Sequence, residues 1–564
     1  MPSAVAVRHL TYEAGHPSAS KRILDDVSFS LPPGHFTAII GASGCGKSTL
    51  LRTLTGLLAP TTGDIFLLGH SLADYKAQYP LALGYLPQFS EAHEDLTIEE
   101  ILRFCADLQL PGSVNPGTRE KWLAYLIQLA GLDGVRHQRY KSLSGGQRRR
   151  LALAETLMPD PPILLVDELT SGLDPRAEAS MMEWLGFLSH QSGKTILLVT
   201  HAVKNLDQTD SVLFMKKGRL FFHGNHRDLL AKYQASSIEE LYQEDDPAPR
   251  ENAGGAEKIA AGADGQEEEP AAVRTAGPAS AWQQFIVLLK RHFLLFSRDR
   301  AQMILHAVLL LTFPALVAVF ALGGLPQVRS LSLSLDTNII RSLQEQLLYL
   351  KDSMSSATLV SGLIMFQVIL LTLAGSNNGA REIAKERGIL EKEQRCGLSS
   401  WAYVSSKMVH VILLAFLQSF WMTWFVKSTC NFPGAFSVQF SILFLTTLAM
   451  GTTCLAISSC SSSTEKASLQ AIYLVGLQLP LSGAVLALPE WLVWITRPFI
   501  AAYWGWSGYL KCLSEFRIYD IVRQTTKTWL AAPALVCGVL ACHIILAYAW
   551  SVFFVNRRKC PPSH

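Results

Sequence analysis

The chain has 564 residues, 49% of them hydrophobic and 17% charged, and its formal net charge is +3. This length is too great for one compact domain, so two or more folded units are expected. The small net charge and the absence of any Lys/Arg tract argue against nucleic acid as a partner. Ten scattered cysteines, without a CxxC pair or Cys/His ligand spacing, argue against a disulfide framework and against a metal site.

Residues 1–244 alternate short apolar runs with helical patterns. Strands separated by helices predict an α/β domain with a mostly parallel sheet, and nearly continuous apolar strands indicate a sheet covered on both faces. Because the N-terminus has no basic start followed by an apolar core, we expect no signal peptide and a cytosolic location for this domain. The apolar runs include HFTAII (35–40), ALGYLPQ (82–88), PILLVDE (162–168) and KTILLVTH (194–201).

The segment GASGCGKST (41–49) follows the first of these runs and opens a helix, which is the context of a phosphate-binding loop. Its glycines let backbone N–H groups point at phosphate oxygens, and the helix N-terminus favours an anion. Lys47 is expected to reach the terminal phosphates and Ser48 to ligate Mg²⁺. The flanking strand and helix argue against a chance glycine-rich turn. The expected nucleotide contacts are Gly41, Ser43, Gly44, Cys45, Gly46, Lys47, Ser48 and Thr49.

The stretch KSLSGGQRRR (141–150) predicts a second anion-binding site. Ser144, Gly145, Gly146 and Gln147 stand at the start of a predicted helix, where free N–H groups suit a γ-phosphate. One nucleotide does not need two such sites from one subunit. Two subunits that face each other head to tail could each lend this site to the other's nucleotide.

The run 162–168 ends in two carboxylates. Asp167 is expected to hold Mg²⁺ through water, and Glu168 to polarise the attacking water as general base. A strand that ends in Asp-Glu is weak evidence alone. After a phosphate-binding loop, and followed by SGLD (171–174), it predicts nucleotide hydrolysis.

These motifs together resemble the ABC ATPase family, over the whole of the first domain. By position, Gly41 to Thr49 resemble the Walker A loop, Asp167 and Glu168 resemble Walker B with the catalytic glutamate, and Ser144 to Gln147 resemble the signature. The resemblance implies ATP and Mg²⁺ as cofactors and ATP hydrolysis as the reaction.

The same resemblance implies roles for four further residues. Leu169 stands where the family usually has proline, but no catalytic residue is missing, so each site of a homodimer should be competent for hydrolysis. For Tyr12, the alternative to a contact with adenine is an ordinary aromatic side chain of a strand. The four roles are Tyr12 stacked on adenine, Gln88 as the Q-loop glutamine that senses Mg²⁺ and the membrane domain, Asp174 as the D-loop aspartate, and His201 as the switch histidine on the γ-phosphate.

Beyond the first domain the composition changes twice. Residues 245–280 are dominated by Ala, Gly, Glu and Pro, which predicts a flexible linker, a passive tether rather than a regulatory contact. Residues 281–300 then place aromatic and apolar side chains at helical spacing among Lys and Arg. This pattern predicts an amphipathic helix at the membrane surface. A core helix of the first domain is the weaker alternative, because a long apolar run follows at once.

The remaining residues, 301–564, predict an all-α domain of six membrane spans. With a cytosolic N-terminus, six spans return the C-terminus to the cytosol, where Arg557, Arg558 and Lys559 fit the positive-inside tendency. Polar side chains within the spans suit either a transport path or helix–helix hydrogen bonds. Cys430 and Cys512 both fall in predicted outer loops, so a disulfide between them stays open. The expected spans are about 302–324, 357–375, 405–426, 438–460, 468–488 and 531–555.

The order of ATPase, linker, surface helix and six spans resembles the G subfamily of ABC half-transporters and bacterial fused exporters with the same type of membrane domain. The resemblance rests on the charged helix 381–407 after the second span and on the long outer loop 489–506. It implies that the charged helix couples to the ATPase and that the outer loop caps the exit.

Two classes of function follow from this order. The first is an exporter of lipids or other hydrophobic molecules, in a plasma or bacterial inner membrane, that pairs with a second copy of itself or with a related half-transporter. The second is a membrane protein that uses ATP to gate or signal to an envelope partner without transport. Six spans and short outer loops favour transport. An importer would normally need a separate binding protein and separate chains.

Overall fold

The computed structural model describes residues 3–15, 20–169, 175–201, 203–235, 238–243, 278–320, 339–430, 432–484, 488–526 and 528–557. The chain divides into two units. The described residues of the first unit lie in Met1–Val287 and Gly388–Ser399, and those of the second lie in Leu288–Arg387 and Ser400–Arg558. The predicted linker lies outside the described residues except for its last three positions.

Ten strands form two sheets in the described part of the first unit. The strands are β1 (Val5–Ala14), β2 (Lys21–Leu31), β3 (Phe36–Ile40), β4 (Thr62–Leu67), β5 (His70–Ser71), β6 (Leu83–Leu86), β7 (Ile163–Asp167), β8 (Thr195–Val199), β9 (Ser211–Lys216) and β10 (Arg219–Gly224). The larger sheet has the order β10-β9-β3-β8-β7-β6 and is parallel except for the β9–β10 pair. This confirms the predicted α/β fold.

Helices cover both faces of the larger sheet, as the apolar strands predict. Along β3, Ile39 packs into one hydrophobic cluster while Ala38 and Ile40 pack into another, because successive side chains of a strand point to opposite faces. The strands β3, β7 and β8 are buried at every residue. The helices of this unit are α1 (Lys47–Leu54), α2 (Leu72–Gln78), α3 (Ile98–Gln109), α4 (Pro116–Leu129), α5 (Gly145–Leu157), α6 (Pro175–Ser192), α7 (His226–Tyr233) and α8 (Ile238–Gln243).

The second sheet, with the antiparallel order β2-β1-β4-β5, is not anticipated by the sequence patterns. Its strands carry charged residues between the apolar ones, and the pairing of β1 with β2 contains register shifts. Such bulges interrupt the period of two by which a half-buried strand is recognised.

The second unit is helical. Five stretches of the described chain are long and apolar enough to cross a membrane: Arg300–Phe320, Ser353–Arg395, Ser400–Cys430, Phe436–Cys460 and Pro533–Arg557. The helices from the surface helix onward are α9 (Ala281–Arg298), α10 (Arg300–Phe320), α11 (Ile339–Gly379), α12 (Arg387–Arg395), α13 (Ser400–Cys430), α14 (Phe436–Cys460), α15 (Thr464–Leu481), α16 (Glu490–Thr496), α17 (Ala501–Lys511), α18 (Arg517–Thr525) and α19 (Pro533–Arg557).

Three details of the membrane unit differ from the sequence expectations. The fifth expected span corresponds to α15, which has only 18 residues, begins with Thr464, Glu465 and Lys466, and is not among the five stretches above. The helix α11 begins at Ile339, inside the expected outer loop 325–356. The loop after α15 contains α17, which is buried from Ala501 to Leu510, so this part of the expected cap is packed helix.

The polar side chains of the spans mostly bond within the protein. Gln418 and Asn378 exchange two hydrogen bonds of 2.8 and 3.2 Å, and the Gln478 carbonyl accepts from the Ala502 N–H at 3.0 Å. Four threonine hydroxyls of α14 donate to carbonyls of their own helix. Gln367 differs, because both polar atoms of its fully buried amide lack a partner among the described residues. Cys430 and Cys512 are free thiols.

Candidate nucleotide site

Four neighbouring parallel strands place the predicted nucleotide residues at one edge of the large sheet. The glycine-rich loop follows β3, His201 follows β8, Asp167 ends β7 with Glu168 directly after it, and Gln88 follows β6. These strands are adjacent in the order β3-β8-β7-β6, so their carboxyl ends meet. Crevices outside the carboxyl ends of such strands are where open α/β sheets bind ligands.

The glycine-rich loop has a backbone that only glycine adopts easily. Gly41, Gly44 and Gly46 have φ angles of 154°, 77° and 104°. A Cβ added at Gly41 would lie 2.2 Å from the Met215 carbonyl oxygen, so the loop also packs too closely for a side chain. The ammonium of Lys47 is buried and donates to the carbonyls of Gly41 and Ala42 at 2.8 and 2.9 Å.

The other loop residues divide into exposed and inward-facing positions. Ser43 and Gly44 are exposed, whereas Ser48 and Thr49 are half-buried. Cys45 is buried, and burial raises the pKa of its thiol, so this cysteine stays protonated and packs as a small apolar side chain.

Ser48 and Asp167 form the predicted metal pair. The Ser48 hydroxyl donates to the Asp167 carboxylate at 3.0 Å. Burial raises the pKa of Asp167, and the neighbouring Glu168 raises it further, while Ser48, Arg52 and Lys47 oppose the rise. A hydroxyl and a carboxylate are hard oxygen ligands of the kind that Mg²⁺ takes, so this pair fits the ion.

Glu168 lies between the other two predicted catalytic side chains. Its carboxylate accepts from the Gln88 amide at 2.7 Å and lies 3.2 Å from Nε2 of His201. Its backbone has a φ of 50°, which is uncommon outside glycine, and its N–H donates to the Val199 carbonyl at 3.0 Å. The chain thus brings the three predicted catalytic side chains together.

The predicted signature forms the start of α5. The Ser144 hydroxyl accepts from the Gln147 N–H at 3.3 Å, and the Gln147 side chain accepts from the Ser144 N–H at 2.9 Å. This reciprocal pair is a capping box. Ser144 and Gly145 are exposed, and a Cβ at Gly145 would meet nothing within 4 Å. The N-terminus of α5 is therefore exposed, and its binding of an anion stays a prediction.

Two predicted residues stand apart from this cluster. Asp174 lies outside the described residues. Tyr12 is half-buried on β1 and pairs with Leu24 of β2, and a Cβ at Gly46 would lie 3.0 Å from a Leu24 methyl group. The strand that carries Tyr12 thus lies next to the one that touches the loop, and its contact with adenine stays a prediction.

Sequence reasoning missed Arg52 and Glu155. Arg52 lies one helical turn after Ser48 on α1, and its charge opposes the rise of the pKa of Asp167. Its position four residues after Ser48, on the same face of the helix, is the sequence pattern that could have identified it. Glu155 is a buried acid four residues after the buried Leu151, and this break in the apolar face of α5 was the available signal.

Comparisons with known proteins agree with this geometry. The model of the ABC transporter family matches residues 24–171, and the model of the ABC-2 type transporter family matches residues 283–506. The chain is 28% identical over 508 residues, 86% of its length, to the ABC transporter ATP-binding/permease protein Rv1747 of Mycobacterium tuberculosis. It spans 55% of that relative's length.

Other relatives match the first domain. The chain is 34% identical over 230 residues to the Nod factor export ATP-binding protein I of Ralstonia nicotianae, which is 40% of this chain and 70% of that protein. It is 35% identical over 235 residues to the energy-coupling factor transporter ATP-binding protein EcfA2 of Symbiobacterium thermophilum, which is 40% of this chain and 79% of that protein.

Among solved structures, the chain matches a dimeric ATP-binding cassette in a post-hydrolysis state bound to ADP and phosphate. The TM-score is 0.37 at 25% identity, and the match covers 39% of this chain and 98% of that one. The two family models and the relatives, taken together, show that this chain belongs to the ABC transporter family and joins its ATPase domain to an ABC-2 type membrane domain.

Proposed function

We propose that this protein is an ATP-driven exporter that works as a head-to-tail dimer and moves lipids or other hydrophobic molecules out of the cytosol. The observation that carries the proposal is the union in one chain of a clustered nucleotide site and several helices apolar enough to span a membrane. One relative with a similar ATPase domain is named for export, and the fusion of both domains in one chain supports the same direction.

The side chains of the cluster divide the chemistry of hydrolysis among them. Lys47 is expected to exchange the carbonyls of Gly41 and Ala42 for the terminal phosphates of ATP. Ser48, Asp167 and the Gln88 amide oxygen would hold Mg²⁺, which supplies positive charge at the phosphates when bound. The roles of the remaining groups follow from their contacts with Glu168.

Glu168 is the expected general base, because its carboxylate lies at the centre of the cluster. The Gln88 amide orients this carboxylate, and His201, which lies 3.2 Å from it, would donate to the γ-phosphate as Glu168 takes the proton of water. The open N-terminus of α5 on a second subunit would complete the site, since Ser144 and Gly145 face outward in this chain.

The segment Gly388–Ser399, which we call the coupling segment, packs within the ATPase unit although 230 residues of sequence separate it from α5. The Lys392 ammonium lies 2.5 Å from the Glu155 carboxylate, and it also donates to the Glu91 carbonyl at 3.4 Å. The Arg395 guanidinium lies 5.8 Å from the centre of the Tyr85 ring. A charged segment is thus held on the ATPase fold by paired charges.

Gln284, at the start of α9, fixes the other end of the coupling segment. Its buried amide donates to the Gly397 carbonyl at 3.2 Å and accepts from the Ser399 N–H at 2.8 Å. The same amide N–H₂ lies 3.4 Å from the Leu108 carbonyl at the end of α3. Three stretches far apart in sequence therefore meet at one side chain.

This arrangement supports a mechanical link between the nucleotide and the coupling segment. Helix α5 carries Ser144 at its start and Glu155 near its end, about 16 Å away at 1.5 Å per residue. Because the helix is rigid over that length, a γ-phosphate held at Ser144 would move Glu155 and with it Lys392. ATP can drive the change because it binds the closed dimer better than the open one.

The cargo is proposed from the composition of the spans. Between Ser353 and Gly379 of α11 and along all of α14 there is no Asp, Glu, Lys or Arg. A path without fixed charge suits a hydrophobic molecule, since an ionic cargo would need polar groups in place of its water. We place the protein in a plasma or bacterial inner membrane with the ATPase unit in the cytosol.

Complementation between two defective chains tests the head-to-tail dimer. Lys47→Ala removes the phosphate contact of one chain, and Ser144→Arg blocks the signature of the other. Each variant alone is expected to lose ATP hydrolysis. Co-purified mixed dimers should regain up to half of the wild-type rate, because one of their two sites combines an intact loop with an intact signature. A mixed dimer as inactive as each variant would contradict the shared site.

Translocation of fluorescent lipids tests export. In proteoliposomes with the ATPase unit outward, ATP is expected to move lipids from the outer to the inner leaflet, where a membrane-impermeant quencher no longer reaches them. A panel of head groups and hydrophobic dyes would define the cargo, and the Lys47→Ala variant is the matched control. ATP hydrolysis that moves none of the panel would favour the alternative of an ATP-driven membrane protein without transport.

A further inference from the structure

Six charged or titratable side chains form a buried group in the second unit. His292 lies on α9, His306 on α10, Glu382 and Glu386 between α11 and α12, and Lys407 and His410 on α13. We call this group the histidine cluster. The three histidines are only 8%, 7% and 2% exposed, although α9 presents Trp282 and Phe293 to the surface at 62% and 38%. The buried face of this helix therefore carries polar side chains beside Leu288.

Lys407 stands at the centre of the cluster. Its ammonium lies 2.8 Å from Glu386 and 3.4 Å from Glu382, and it donates to Nδ1 of His292 at 3.1 Å. The rings of His292 and His410 are 4.4 Å apart between centroids. One ammonium is thus shared by two carboxylates and an imidazole, and its distance to Glu382 is long for a direct bond.

The bond from Lys407 determines the tautomer of His292. An ammonium can only donate, so Nδ1 of His292 accepts and carries no proton, and the neutral ring carries its proton on Nε2. That N–H lies 3.8 Å from the Glu382 carboxylate, which is too far for a hydrogen bond. Among the described residues it has no partner, nor have either nitrogen of His306 or Nε2 of His410.

The surroundings of His292 keep its ring neutral in this arrangement. Burial lowers its pKa to about 2, Lys407, His410 and Arg291 lower it as well, and Glu386 opposes them. With these groups, His306 from α10, Glu382, and Tyr403 of α13, whose hydroxyl donates to Glu386 at 3.1 Å, are the charged or titratable side chains that the described parts of the packed elements direct at the cluster. An ordinary exposed histidine has a pKa near 6.5, so a proton binds this ring far more readily once the cluster opens.

We propose that the histidine cluster is a proton-binding site that closes with His292 neutral and opens when the ring takes up a proton and reaches solvent. The geometry favours this, because a protonated His292 could no longer accept from Lys407 and would place two positive groups 3.1 Å apart. Opening separates them and leaves Glu382 and Glu386 to Lys407.

The sign of the pH effect follows from the two states. The closed cluster excludes the proton and the open cluster binds it, so acid pH favours opening and neutral pH favours closure. For one histidine with an ordinary pKa in the open state, lowering the pH from 7.5 to 6.0 shifts the equilibrium towards opening by about fourfold. The population of the open state thus increases as the pH falls through the range in which an exposed histidine titrates.

Amide hydrogen exchange of residues 288–298 tests the proposal in the full chain in lipid, without nucleotide. After correction for the intrinsic effect of pH on exchange, the wild type is expected to exchange about fourfold faster at pH 6.0 than at pH 7.5. His292→Asn keeps an acceptor for Lys407 but cannot bind the proton, so its corrected rates should depend on pH clearly less than those of the wild type, with the remaining dependence due to His306 and His410. Equal rates in the wild type, or a wild-type response in the variant, would overturn the proposal.

A control and a second measurement keep the test decisive. His137→Asn changes a histidine that is 78% exposed in the first unit, and it should keep the wild-type response. If His292→Asn does not fold, deuterium uptake at the ring carbon C2 of His292 in the wild type replaces it, since that exchange requires a protonated ring in water. Uptake at pH 6.0 supports the site, and its absence there overturns it. Neither readout needs ATP or cargo, so both stand apart from the proposed export.

Discussion

Replacing Glu168 with glutamine is expected to lower the rate of ATP hydrolysis by about 10²–10⁴-fold and to leave ATP binding within a few-fold of the wild type. Glutamine has nearly the same shape and can still bond to Gln88 and His201, which lie 2.7 and 3.2 Å from the carboxylate. It cannot take a proton from water. The loss should therefore fall on the chemical step, and the phosphate contacts of Lys47 should remain.

The measurement is phosphate release by the purified protein in lipid nanodiscs, together with binding of a fluorescent ATP analogue. Glu183→Gln is the matched control, because Glu183 is an exposed carboxylate on α6 outside the cluster, and it should keep the wild-type rate within about twofold. If Glu168→Gln hydrolyses ATP at the wild-type rate, Glu168 is not the base. His201→Ala would then be the next variant to examine.

The clustering of the predicted nucleotide residues could be anticipated because their positions follow from the sheet. Each of Gln88, Asp167 and His201 follows an apolar run in the sequence, and parallel strands bring their carboxyl ends to one edge. The motifs then name the chemistry at that edge. What the motifs do not give is distance, and the contacts of Glu168 with Gln88 and His201 became visible only in the structure.

The packing of α9 could not be predicted from its pattern. Aromatic spacing indicates an amphipathic helix, and the helix is present, but its aromatic side chains are largely exposed while polar side chains are buried. Trp282 is 62% exposed, whereas Gln284, Arg291 and His292 are buried against protein. In a sequence, a polar stripe that faces protein cannot be distinguished from one that faces water.

The loop after α15 also departs from its sequence pattern, because side chains expected in an outer loop are buried. Its length and position predict an outer loop, yet Trp506 and Tyr509 of α17 are almost completely buried in the core of the second unit. Their polar atoms need partners there, and the Trp506 indole donates to Ser361 at 3.2 Å. The aromatic residues of this stretch were the available signal for a buried helix.

Removing one partner of the Lys392–Glu155 pair is expected to destabilise the ATPase unit by about 3–5 kcal/mol, because the other charge then loses the oppositely charged group beside it in a largely buried site. Glu155 is 8% exposed and Lys392 is 23% exposed, and their charged atoms lie 2.5 Å apart. We expect Lys392→Met and Glu155→Gln each to lower the apparent unfolding temperature of the full chain by on the order of 10 °C. Intrinsic fluorescence on heating measures it.

The double variant Lys392→Met/Glu155→Met distinguishes the effect of leaving one buried charge from the effect of losing the pair. It leaves no buried charge, so it should recover most of the stability that each single change loses. Glu120→Gln is the matched control, since Glu120 pairs with Arg103 at 3.0 Å but both side chains are at least half exposed, and it should cost less than about 1 kcal/mol. Equal stability losses for Glu120→Gln and Glu155→Gln would show that the buried pair does not hold the coupling segment. A recovered double variant that hydrolyses ATP but moves less lipid per ATP would show that the charge pair also transmits the movement of α5.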